Sequence, residues 1–205
     1  MTFVSKGIYN KMFTGIIQEM GVVSAMRRSS DGVRISISVK KKMKGLRRGG
    51  SIAVNGVCLT ATEIKKTGFS ADLLPETIRD TNLGTVVKGE RVNLELAMRF
   101  MRDLIDGHLV SGHVEGVGMI QERKELGNTL FLKMTIPKGI KKYCILKGSI
   151  AVDGVSLTIQ SLHRSGITVA IIPSTMKVTT LGIKEAGATV NLESDLIRKY
   201  IKLHL

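Results

Sequence analysis

Cys58 and Ser156 are the residues best suited to chemistry, because they hold one position of a sequence that is written twice. SIAVNGVCLT, Ser51 to Thr60, returns as SIAVDGVSLT, Ser149 to Thr158, so a thiol faces a hydroxyl two residues before Thr60 and Thr158. A thiol just past the Asn55-Gly56 turn suits a pocket mouth, as nucleophile or hydrogen-bond donor. The competing reading is a small buried hydrophobe, the common state of cysteine. Ser156 weighs against that second reading, since a hydroxyl is a poor occupant of a dry core. Cys144 has no matched partner and reads as structural.

The segment GHLVSGH, Gly107 to His113, holds two of the four histidines. Histidine transfers protons near neutrality, and flanking glycines let a ligand come close. A glycine-rich connection with surface histidines explains the same letters, and both readings stand. His163 and His204 read as surface residues. Asp153, opposite Asn55, reads as a turn cap rather than a catalytic carboxylate. Pro75 and Pro173 each follow an apolar run. That is either an ordinary strand end or a row of backbone groups offered to a planar heterocycle.

These residues need elements to hold them, and the duplication describes those elements. Residues 51–95 and 149–193 match at a constant offset with 19 of 45 positions identical. Upstream, Thr14 to Ile17 aligns with Ser111 to Val114, which sets Ile16 opposite His113. Each unit is far longer than a solenoid repeat and can bury its own small core. Alternation at Val33, Ile35, Ile37 and Val39 predicts a half-buried strand. Similar runs fall at 13–18, 51–54, 58–64, 69–74 and 92–96. About six strands per copy, without long crossover helices, predict an all-β chain of two antiparallel barrels. The expected organisation is an extension at 1–11, barrels at 12–97 and 98–194, and a C-terminal helix at 195–205. A linker helix is also expected at 96–106.

Composition narrows the field. The formal charge of +14 invites nucleic acid, but the basic residues are spread out and only eight aromatics are present. A solvated basic surface is the preferred reading. Two cysteines are too few for a disulfide framework, and no zinc-like spacing occurs. No apolar run reaches membrane length, and residues 1–11 lack the apolar core of a secretory signal. A cytoplasmic protein without metal is expected, with neither nucleic acid nor membrane as partner.

MFTGII at Met12, NGVCLT at Asn55, ETIRDTNLG at Glu76, GHLVSGH at Gly107, DGVSLT at Asp153 and IPSTMKVTTLG at Ile172 together resemble the riboflavin synthase family. The resemblance runs from Met12 to about Asp195. It implies two six-stranded Greek-key barrels, each binding one 6,7-dimethyl-8-ribityllumazine, in a homotrimer whose sites lie between neighbouring chains. It implies a dismutation, in which one lumazine gives a four-carbon unit to the other, yielding riboflavin and 5-amino-6-ribitylaminouracil without cofactor. By motif, the first-barrel contacts are Gly15, Ile16, Ile17, Cys58, Leu59, Thr60, Asp72, Leu73, Leu74, Pro75, Glu76 and Thr77. The second-barrel contacts are Gly112, His113, Val114, Ser156, Leu157, Thr158, Ala170, Ile171, Ile172, Pro173, Ser174 and Thr175, with Lys147 reaching across the interface. Catalysis is assigned to His113, Cys58, Ser156 and Thr158. Val54, Val57 and Ser174 depart from the family's usual His, Cys and Glu. A non-catalytic lumazine or flavin carrier is the alternative. The sequence is silent on association with lumazine synthase.

Overall fold

The structure, a computed structural model, describes residues 12–29, 32–41, 43–98 and 105–202. The extension at 1–11 and most of the expected linker helix lie outside the described residues.

The first unit contains β1 (Glu19–Ser29), β2 (Gly32–Ser38), β3 (Ser51–Val54), β4 (Val57–Lys65), β5 (Gly68–Leu73) and β6 (Arg91–Leu96). The second contains β7 (Gly116–Leu126), β8 (Thr129–Thr135), β9 (Ser149–Val152), β10 (Val155–Leu162), β11 (Gly166–Ile171) and β12 (Thr189–Ser194). Each closes into an antiparallel barrel, in the order β1-β2-β5-β4-β3-β6 and its counterpart β7-β8-β11-β10-β9-β12. Closure leaves no unpaired edge and turns one face of every strand inward. In β2, Ile35 and Ile37 are buried while Arg34 points out, and each barrel fills with its own aliphatic core. A fully buried Ile or Leu contributes about 1.5–3 kcal/mol, so two such cores carry most of the stability. Bulges at Val23/Ala25 and Ala61/Glu63 recur at Ile120/Glu122 and Ile159/Ser161, bending strands that a flat sheet could not close.

Short helices follow β5 and β11: α1 (Pro75–Asp80) and α3 (Pro173–Val178). Pro75 and Pro173 open these helices at a first-turn position, where the missing N–H costs nothing. The single turn α2 (Lys138–Lys141) precedes β9. The expected tail helix is found as α4 (Leu196–Lys202), its start capped by Asp195 Oδ1 on the Ile197 amide at 2.9 Å.

Two expectations change. Residues 13–18 form no strand: Phe13 makes one isolated bridge to Val110, and the first barrel begins at β1 instead. Leu96 ends β6, so the expected linker helix does not begin there. Phe13 gives up its local pattern for a contact with the other half of the chain, and Leu96 for pairing with Ile52 of its own barrel.

The barrels meet at their matching turns through reciprocal contacts. Asn55 and Gly56 have φ of 45° and 77°, Asp153 and Gly154 of 46° and 77°, the left-handed pair of a two-residue hairpin. A Cβ on Gly56 would lie 2.7 Å from the Gly154 nitrogen, and the reverse is equally tight. Around the turns, Asn93 Nδ2 donates to the Asp153 carbonyl and Asn191 Nδ2 to the Asn55 carbonyl. The Asp153 side chain bonds across the barrel junction instead of capping its own turn: it accepts the Asn191 amide and the Asn82 Nδ2 and is ion-paired with Lys184, where the first copy has Asn55 and Val86.

Candidate active site

Two short segments cross between the barrels, and they define the site. Thr14 to Ile17 leads into the first barrel, yet the Gly15 carbonyl accepts the Ser156 amide of the second at 2.8 Å. Ile17 packs on the second barrel's core. Ser111 to Val114 leads into the second barrel, yet the Gly112 carbonyl accepts the Cys58 amide of the first, also at 2.8 Å, and Val114 packs on the first core. The expected grouping is therefore reversed within the chain. Gly15, Ile16 and Ile17 belong with Ser156, and Gly112, His113 and Val114 with Cys58. The approach demands glycine at both places. Gly15 has φ +78° and a Cβ there would sit 2.6 Å from Ser156 Cβ; Gly112 has φ +80° and would meet Cys58 Cβ at the same distance.

Beside Ser156, the structure brings together Leu157 and Thr158 on β10, Ala170 and Ile171 on the neighbouring β11, and Ile172, Pro173, Ser174 and Thr175 at the start of α3. Beside Cys58 lie Leu59 and Thr60 on β4, Asp72 and Leu73 on β5, and Leu74, Pro75, Glu76 and Thr77 at α1. Asp72 is gripped by Arg34, at 2.6 and 2.9 Å, and that guanidinium holds its carboxyl below the usual range. Leu74 and Ile172 are 61% and 58% exposed, two apolar faces at matching mouths. Lys147 extends along the surface of the second barrel, donating to Gln160 at 2.6 Å.

His108 was left unassigned by the sequence, and it is the most informative residue here. Its Nδ1 lies 2.7 Å from Ser156 Oγ, with the direction of the bond set by the imidazole tautomer. The ring is buried, and its Nε2 has no hydrogen-bond partner. Burial is the main influence on its pKa and pushes it down, against a smaller upward pull from Asp195. Burial thus disfavours the charged imidazolium. By sequence offset the first copy has Lys11 at this position. The available signal was the Gly107-His108 dipeptide: Gly107 fits under Ser156, where a Cβ would meet Ser156 Cβ at 2.8 Å. His113 is exposed at the mouth of the Cys58 site, its amide donating to Ser111 Oγ at 3.2 Å.

Neither cysteine is in a disulfide. Burial pushes the Cys144 thiol up to about 11, with Glu115 adding to it, in keeping with a structural role. A cavity of about 560 Å³ lies between the barrels and is lined by Asn55, Asn82, Thr180 and Lys184, among others. None of the residues expected to bind ligand lines it. Among the described residues no group of His, Cys, Asp or Glu has the geometry to hold a metal.

Paired closed barrels with matched, crossed clusters define the class, and the family described as "Lumazine binding domain" matches residues 14–97 and 111–195. Riboflavin synthase of Bacillus subtilis (strain 168) is 41% identical over 190 residues, 93% of this chain and 88% of that protein. Riboflavin synthase of Actinobacillus pleuropneumoniae is 40% identical over 95% of this chain and 90% of its own. Among solved structures, LumP complexed with 6,7-dimethyl-8-(1'-D-ribityl) lumazine superposes with a TM-score of 0.80 at 26% identity, covering 89% of this chain and 98% of that one. LumP complexed with riboflavin gives 0.82 at the same identity and coverage. The chain belongs to the riboflavin synthases, a family of enzymes.

Proposed function

We propose that the chain dismutates two molecules of 6,7-dimethyl-8-ribityllumazine, one bound at each crossed cluster, to riboflavin and 5-amino-6-ribitylaminouracil. The observation that carries this is the unequal pair of pockets. One substrate is bound twice, so the barrels stay alike; the two molecules meet different fates, so Ser156 with His108 stands where the first copy has Cys58. A C7 methyl of the lumazine is acidic because its carbanion spreads into the ring. Neutral His108, acting through or beside the Ser156 hydroxyl, receives that proton, a step typically worth about 10² to 10⁴-fold. His113 serves the mouth of the other cluster, where Cys58 meets the second ring. Thr60, Thr158 and Lys147 orient the ribityl chains and ring edges. Holding both rings face to face contributes up to roughly 7–11 kcal/mol toward the barrier.

The reading makes the protein a homotrimer whose reaction centres form between one chain's first barrel and a neighbour's second. Exposed Leu74 and Ile172 beside the two clusters support it, as does the short apolar stripe of α4, where Ile197 and Ile201 are exposed. It also makes the protein cytoplasmic. Among the described residues no helix is long and apolar enough to cross a membrane, and the cysteines are not joined.

The test is incubation of purified protein with the lumazine. One riboflavin should form for every two substrates consumed. Tight binding with recovery of unchanged lumazine would instead identify a carrier and defeat the proposal.

A further inference from the structure

Both crossing segments are gripped by a buried carboxylate. Glu95, on β6, is 3% exposed. Its Oε1 accepts the Thr14 amide at 2.7 Å and the Thr14 hydroxyl at 2.9 Å, while Oε2 accepts the Gly15 amide at 3.1 Å. Glu193, on β12, is 4% exposed and repeats the arrangement with the Ser111 amide at 2.6 Å, the Ser111 hydroxyl at 2.7 Å and the Gly112 amide at 3.0 Å. The glycine held in this way presents its carbonyl to the opposite barrel: Gly15 to the Ser156 amide, Gly112 to the Cys58 amide.

We infer that Glu95 and Glu193 are positioning residues, each of which builds the ligand cluster of the barrel it does not belong to. The inference rests on reading the Cys58 and Ser156 clusters as the two lumazine sites. A carboxylate is the side chain suited to the task, because three donors converge on it and it is an acceptor at both oxygens. Glutamine would turn an NH₂ toward a backbone N–H. Among the described residues no Lys or Arg pairs with either carboxylate. The segment's own N–H and O–H groups thus supply the stabilisation of the charge. Burial pushes both carboxyls upward and these donors pull them back. The fold therefore keeps an expensive buried acid at matching points of both copies. What each acid secures is a glycine one bond from the opposite barrel's thiol or hydroxyl residue. The two clamps also deliver different cargo. Glu193 sets the start of the segment carrying His113, and Glu95 the start of the one carrying Ile16.

The experiment compares Glu95→Gln and Glu193→Gln in the full chain by three readings. These are riboflavin turnover, the amide resonances of Cys58 and Ser156 in a ¹⁵N-labelled sample, and the rate at which a small aromatic disulfide modifies Cys58. Each variant should lose about tenfold or more in turnover, the equivalent of one charge-assisted hydrogen bond. E193Q should move the Cys58 amide and change its modification rate while the Ser156 amide stays in place. E95Q should do the reverse. Disturbance of both amides by both variants, or of neither, overturns the inference, since a merely structural role would not sort them across the barrels. Thr14→Val and Ser111→Ala each delete one of the three bonds. Should a glutamine variant fail to fold, they carry the same crossed expectation. If the parent makes no riboflavin, the proposed function fails, and the amide and thiol readings still decide the clamp.

Discussion

Ser156→Ala tests the site at its centre. The substitution deletes the 2.7 Å contact to His108 Nδ1 in a place where Nε2 already has no partner, so a buried imidazole is left with neither nitrogen bonded. Leaving a buried polar group unpaired costs about 1–3 kcal/mol, which a urea titration should register as a lower midpoint with unchanged slope. Turnover should fall about 10² to 10⁴-fold, the usual contribution of a positioned acid–base pair. Binding of the lumazine should weaken far less, because the contacts proposed at Ile172 and Gly15 do not use the Ser156 hydroxyl. The pH profile has a definite sign. Burial lowers the His108 pKa, the neutral ring is the active form, and protonation sets in only as pH falls through that lowered value. The parent's acid limb should therefore lie below the ordinary histidine value of about 6.5. Stability has the same sign: the unfolded chain binds this proton first, so the contribution is present above about 6.5 and lost as pH falls. Riboflavin formation followed by its visible absorbance across this range is the assay. A Ser156→Ala enzyme within threefold of the parent, or an acid limb centred above the ordinary value, would refute the reasoning.

Gly15→Ala should cost about 2–4 kcal/mol in denaturant titration and abolish turnover, since it combines a φ of +78° with a 2.6 Å clash. Gly49→Ala, with φ +76° and open space around it, should cost only about 1 kcal/mol and isolates the backbone part. Lys184→Met leaves the buried Asp153 carboxylate without its cation and should destabilise by about 3–5 kcal/mol. Adding Asp153→Asn to a Lys184→Val chain rebuilds the Asn55 and Val86 arrangement of the first copy, and the same titration should recover most of that loss. Alkylation at pH 8 followed by mass spectrometry should label Cys58 and spare Cys144, whose pKa of about 11 leaves about one thiolate in a thousand.

What the sequence revealed was local. The two-residue turns at Asn55-Gly56 and Asp153-Gly154 and the alternation in β2 are written in adjacent letters, and the barrels follow from them. β1 was missed because EMGVVSAMRRS carries a bulge and breaks strict alternation. The site was legible as a set of residues but not as a grouping. The duplication singled out Cys58 and Ser156, and resemblance supplied Gly15 and Gly112. Which glycine meets which partner depends on the crossing, a tertiary fact with no local pattern. His108 stayed hidden because its partner lies 48 residues away. Glu95 and Glu193 lie near the ends of β6 and β12, and nothing in NLE tells that three donors close on each.

The crossing also sets an order in time. The first barrel can leave the ribosome with every strand in hand and still lack the Gly112 carbonyl that holds Cys58. The second cannot complete its own pocket without Gly15, made at the outset. Contacts such as Asn191 to Asn55, separated by 136 residues, form only when synthesis is nearly over. Neither crossed cluster is complete on a half-made chain, and the two are finished together, at the end.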